Sequence, residues 1–223
     1  MAKPVDGRPD LLDRALLRRQ EYLVVADPWL RRSRASAEKG RHFESLIYLW
    51  VTFNAWLGEV VANRDLTERD SYLVAAAGRD PLLNRAFKQR LADEVDFADS
   101  CEQFRGLWPV LKTRALTDLG IPPWSGEEQR RPYVRRAIRA GLRSSDYRPS
   151  CATDHSPTES FDPSAIPLDW PHLLDAIYGV RCNLFHGGKS FLNPEDTRFV
   201  QLSHQILRAV WCDGDIGQEW HER

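Results

Sequence analysis

Cysteine is scarce in this chain of 223 residues: four stand at positions 101, 151, 182 and 212, and no two form a C-x-x-C pair. Disulfide frameworks belong mostly to short secreted chains, so these four read as reduced thiols. An excess of positive charge is missing too. Thirty-one Lys and Arg against 32 Asp and Glu leave a net charge of −1, so whole-chain charge points to no polyanionic partner, and only a local patch can make that case. The most apolar run, "SLIYLWVTFNAWLGEVVA", is interrupted by Thr52, Asn54 and Glu59. That excludes a comfortable membrane span. The opening "MAKPVDGRPDLLDR" has no apolar core of a signal peptide, and the expectation is a soluble, cytoplasmic protein. No P-loop, G-x-G-x-x-G, H-E-x-x-H or paired-cysteine spacing occurs, so neither a cofactor nor a metal is expected. Cys151 and His155 form a C-x3-H pair that, standing alone, reads as coincidence.

Apolar material is present in quantity. Hydrophobic residues make up 42%, with eight Trp, which suffices for a core. Strand signals are weak and helical periodicity recurs. Asp10 is placed to cap a helix that carries Leu11, Leu16 and Leu23 and ends before Pro28. A long helix is expected from about Ser36 to Ala62, with Phe43, Leu46, Ile47, Trp50, Asn54, Leu57 and Val61 on one face. Thr67 opens a short helix through Ala77, and Asp80-Pro81 opens another through Leu91. Residues 97–119 read as helical, with Pro109 kinking or splitting them. "EEQRRPYVRRAIRAGLR" reads as a basic helix. Pro149, Pro157, Pro163 and Pro167 mark a long loop over about 143–169. Trp170-Pro171 starts the next helix, and Asn193-Pro194 starts the last, which Gly214 stops. The expected architecture is all-α: one domain over 1–223, a helical bundle with its core at about 36–213 and a proline-rich insertion.

The stretch "VRCNLFHGGKS" holds Arg181, Asn183 and His186 within six residues. On an unbroken helix Arg181 and His186 stand roughly 140° apart and point to different sides. Gly187 and Gly188 suit a left-handed helix end, so the last turn is expected to unwind and let His186 turn toward Arg181 and Asn183. An arginine, an asparagine and a histidine without carboxylates suit phosphate chemistry. Arginine grips phosphate oxygens in a fork, and histidine moves a proton near neutral pH. On RNA the 2′-hydroxyl is a built-in nucleophile, so cleavage to a cyclic phosphate needs no metal. Spacing alone is weak evidence: with 26 Arg and six His, chance supplies roughly 0.7 pairs at any fixed separation. Arg198 and His204 form one such decoy. The competing reading of His186 is a helix-ending histidine bonded to a carbonyl.

"YGVRCNLFHGGK" resembles the R-x4-6-H motif of HEPN domains, and more closely the RNxLFHG form of Apea-like and related prokaryotic groups. "FESLIYLWVTFNAWLGE", with its Phe53-Asn54 pair, is similar to the aromatic first helix of those groups. Together the two segments and the helices between them cover about residues 40–212. The resemblance implies a HEPN-like helical bundle, extended by extra helices and the proline-rich loop, that forms a homodimer with two motifs facing across a cleft. It implies a metal-independent endoribonuclease acting on RNA, of the kind found in toxin–antitoxin and phage-defence systems, with an antitoxin or defence protein as a further partner. By position Arg181 and His186 match the catalytic pair, and Asn183 is the polar residue between them. Cys182 departs from the Asn or Asp that often follows the arginine. The alternative is a catalytically inactive HEPN domain that binds RNA or a protein. A third class is an oligomeric scaffold for a neighbouring enzyme.

Arg131, Arg135, Arg139 and Arg143 make a slowly drifting stripe with no acid between Glu128 and Asp146, which suits an RNA backbone. Lys189 is placed to touch phosphate as well. Asn54, on an apolar face, reads either as a satisfied core amide or as a support behind Arg181.

Overall fold

The computed structural model describes residues 12, 19–61, 70–149, 163–186 and 193–213. Among them the fold is all-α. Helix α1 spans Arg19–Glu38, α2 His42–Val60, α3 Asp70–Arg79, α4 Pro81–Asp93, α5 Val95–Gly106, α6 Thr113–Asp118, α7 Arg130–Arg139, α8 Trp170–Phe185 and α9 Pro194–Leu207. A π-helical turn, Arg208–Cys212, prolongs α9. Two short strands, β1 Val110–Leu111 and β2 Tyr147–Arg148, pair antiparallel with Val110 opposite Arg148. No described helix is long and apolar enough to cross a membrane.

Helix α2 is the axis of the bundle. Its Leu46, Leu49, Trp50, Phe53, Trp56, Leu57 and Val60 are buried, as are Ser45 and Thr52. A helix buried this far round must be covered on several sides. Helix α1 lies along it on one side, and α9 and α8 on others, while α3 packs on α8 and α5 on α9. Two of the buried polar groups are satisfied within the chain. Thr52 donates to the Tyr48 carbonyl at 3.0 Å, and Ser45 to that of His42 at 2.8 Å.

Three helix starts follow from local chemistry. Asp80, Asp169 and Asn193 each accept a backbone N–H of the first turn, from Leu83, His172 and Glu195 respectively, and a proline follows in the first turn each time. The side-chain oxygen takes an orphan donor, and proline has none to lose. Two boundaries differ from expectation. Helix α1 runs through Pro28, which lies on its exposed side, where the Val24 carbonyl that loses its partner meets water. The helix expected from Ser36 is two helices. Gly40 at φ +68° ends α1, with the Arg41 and Gly40 N–H groups bonded to the Ser36 and Ala37 carbonyls, a Schellman stop. Asp10, Thr67 and Gly214 lie outside the described residues.

A second, smaller core gathers Leu111, Leu116, Tyr133, Val134, Ala137, Leu142 and Tyr147. It contains β1, α6, α7 and β2. The beginning of the proline-rich stretch is therefore ordered here, since β2 needs β1 to pair its backbone. The Trp108-Pro109 and Arg148-Pro149 bonds flanking this ladder are cis. The ladder docks on α8 at Gly179, where an added Cβ would come within 3.0 Å of the Arg148 Cβ and 3.4 Å of the Val110 Cβ.

Candidate functional site

Helix α8 brings Arg181, Asn183 and His186 to its C-terminal end. The helix stays intact through Phe185, and the His186 N–H bonds to the Cys182 carbonyl at 3.0 Å. The unwinding expected of the last turn thus does not begin before His186. Gly187, Gly188 and Lys189 lie outside the described residues, as do Cys151 and His155. His186 itself is exposed.

Arg181 is held on three sides. Its Nη2 meets Asp70 Oδ2 of α3 at 2.7 Å. Its guanidinium carbon lies 4.4 Å from the Phe185 ring centre and 5.6 Å from that of Trp50. These distances suit cation–π attraction. The side chain keeps 19% of its surface exposed, so the cation is fixed yet still reachable. Its buried Nε–H finds no acceptor among the described residues.

Tyr178 and Cys182 occupy the neighbouring positions of α8. Burial pushes the Tyr178 hydroxyl up to about 12. Cys182 and Asp70 push in the same direction, while Arg181 opposes them. Tyr178 is therefore neutral at physiological pH and stacks on Trp50 at 5.9 Å.

Asn183 faces elsewhere, roughly 200° round the helix from Arg181. It is buried, and its Nδ2 donates to the Leu111 carbonyl of β1 at 2.7 Å. With Gly179 one turn earlier, it forms the seat for the ladder. Asn54 is half-buried, one turn beyond Trp50 on α2, and its Oδ1 has no donor among the described residues. It stands on the helix that carries Trp50 under Arg181, without a bond to Arg181.

The basic helix divides. Arg130, at its start, turns inward and donates to the Leu107 and Pro109 carbonyls at 3.2 and 2.7 Å. Its guanidinium lies 4.6 Å from the Trp124 ring centre, and desolvation pulls it down to about 10. Arg136 pairs with Glu128 at 2.7 Å. Arg131 and Arg139 are exposed, and Arg135 is half-buried with its Nε enclosed. Arg143 lies past the end of α7, beyond Gly141 at φ +111°, so the stripe is broken before its last member.

Asp70 is the member of the cluster that no local signal reveals: its partner lies far along the chain, and a lone Asp at a helix start reads as a cap. Trp50 and Tyr178 are legible as core aromatics, not as a platform for a cation. No described group of His, Cys, Asp and Glu residues is arranged to hold a metal ion. The chain matches no protein-family model, no curated protein and no solved structure.

Proposed function

We propose that the chain is a metal-independent endoribonuclease of the HEPN type, active as a homodimer. The observation that carries this reading is the fixed, partly exposed Arg181 guanidinium at the same helix end as the exposed His186. A clamped cation stabilises charge developing on a phosphate without having to reorganise. One His186 takes the proton of the 2′-hydroxyl as its oxygen attacks the adjacent phosphorus. The 5′-oxygen leaves with a proton from the His186 of the second copy. The products are a cyclic phosphate and a free 5′-hydroxyl. A twofold axis supplies both base and acid from one short motif. Asn183 serves from behind, tying the end of α8 to β1. Lys189 and the exposed Arg131 and Arg139 are proposed to meet phosphates. A toxin–antitoxin or phage-defence setting, with a partner protein that restrains the nuclease, fits such an activity.

RNA incubated in EDTA with wild type and His186→Ala tests the proposal. Cleavage should survive chelation and fall by roughly 100-fold or more in the variant. Equal cleavage by both proteins, or none by either, removes it. The Asp70–Arg181 ion pair favours a second reading, because a neutralised arginine has less charge to lend a transition state. In that reading the domain binds RNA or a protein and does not cleave. Salt-sensitive RNA binding by a wild type without nuclease activity selects it.

A further inference from the structure

Helix α1 buries one side against α2 and turns the other to solvent. Positions 24, 25, 28, 31, 32 and 35 fall on that outer side, with Lys39 just past the helix end. Across residues 31–41 stand Arg31, Arg32, Arg34, Lys39 and Arg41 against a single acid, Glu38. Arg34 sits on the flank and bonds to Cys212, and Arg41 pairs with Glu44 at 3.3 Å. Arg31, Arg32 and Lys39 are exposed, and none has a carboxylate partner among the described residues. This is the reverse of α7, where Arg130 is spent on two carbonyls and Arg136 on Glu128.

We infer that the outer stripe of α1, from Arg31 and Arg32 to Lys39, is a track for the phosphate backbone of single-stranded RNA. Arg31 and Lys39 stand eight positions apart across the end of α1, a span of about 12 Å at the helical rise that suits two successive phosphate steps. Trp29 lies half-exposed beside Arg32, whose guanidinium is 5.6 Å from the ring centre. An aromatic next to cations is the pairing that lets a base stack while its phosphate is neutralised. Beyond the Gly40 turn the stripe meets a cavity of about 370 Å³, lined by Arg41, His42, Phe43, Glu44 and Thr197. An anionic membrane is the rival occupant, because Val24 and Val25 are exposed on the same stripe. It fits less well. The apolar face of α1 is already spent on α2 through Tyr22, Ala26 and Leu30. A helix lying in a bilayer buries its apolar side and keeps its cations at the margins. Here Arg31 stands in the middle of the side that the described residues leave uncovered.

The inference rests on the RNA reading of the chain and not on chemistry at Arg181 and His186. Its test is binding of a fluorescent 20-nucleotide oligouridylate, followed by anisotropy at several salt concentrations. The protein carries Arg31→Gln, Arg32→Gln and Lys39→Gln together. These sites are exposed, so the melting temperature should stay at the wild-type value. Losing three phosphate contacts should lower the slope of log affinity against log salt by about 2 and weaken binding by at least about ten-fold at low salt. A matched variant with Arg85→Gln, Lys88→Gln and Arg114→Gln, three exposed cations on α4 and α6, should retain most of the affinity. Unchanged binding by the α1 variant, an equal loss in the matched control variant, or binding by wild type to phosphatidylserine vesicles but not to RNA overturns the assignment. His186→Ala separates the two proposals: it should abolish cleavage and leave the salt slope unchanged. A loss of slope in the α1 variant without any wild-type cleavage keeps the track and discards the nuclease.

Discussion

Buried in the seam of α1, α2 and α9, His204 shows how far one residue departs from its sequence context. The Ser33 hydroxyl has a single proton, which it gives to the Ser45 carbonyl at 2.9 Å. It must therefore accept from His204 Nε2, 3.1 Å away, which fixes the protonated nitrogen. Burial pulls His204 from 6.5 down to about 4, with Arg208 and His42 pushing the same way. Below 6.5 the unfolded chain takes a proton that the folded chain refuses. Stability should thus fall as pH drops from 6.5 toward 4, by on the order of 3 kcal/mol from this residue. Urea midpoints measured between pH 7.5 and 4.5 should fall more steeply in wild type than in His204→Gln. Parallel curves for the two proteins remove the account. The Arg198–His204 spacing, which mimics the Arg181–His186 motif, brings no shared site: Arg198 bonds to Gln103 and Gln201. Spacing along a chain is a poor guide when the two side chains face different surroundings.

At the scale of elements, the legible features were those whose physics is local. The caps at Asp80 and Asn193 and the proline after each could be read directly because they act within one turn. Pro28 and Gly40 could not be ranked by local rules. Whether a proline ends a helix depends on whether the freed carbonyl reaches water, and that is set by which side packs on α2. The β1–β2 ladder was invisible, since two residues per strand carry no periodicity. Gly179 is its hidden requirement. Replacing it with alanine gains about 1 kcal/mol of helix propensity but drives a methyl within 3.0 Å of Arg148. Overpacking typically costs about 1–3 kcal/mol, so Gly179→Ala should lower the melting temperature by a few degrees. A higher melting temperature would show that the ladder gives way freely.

Across the described residues as a whole, two cores are joined by a cation. Arg130 bridges them, donating to the carbonyls that lead into β1 and lying 5.5 Å from the ring centre of Phe199 on α9. Arg130→Met keeps the length and loses the donors, which leaves two carbonyls to be solvated at about 1–3 kcal/mol each. Limited proteolysis of this variant should cut within 110–149 well before the main bundle, whereas wild type should resist there. Equal resistance would place the junction's strength in the apolar contacts alone. The first arginine of α7 thus belongs to the interior, whereas Arg131 and Arg139 of the same helix are exposed.

The helical class, the helix starts at Pro81, Trp170 and Pro194, and the placing of Arg181, Asn183 and His186 near one helix end follow from the residues alone. Periodicity, caps and breakers act over a turn or two and need no distant partner. The packing of distant helices settled that Arg181 meets Asp70 and two aromatic rings, that Asn183 holds the ladder, and that Arg31 and Arg32 of α1 meet no carboxylate among the described residues. Ion pairing and burial depend on which surfaces meet in space, and those surfaces come from helices far apart in the chain.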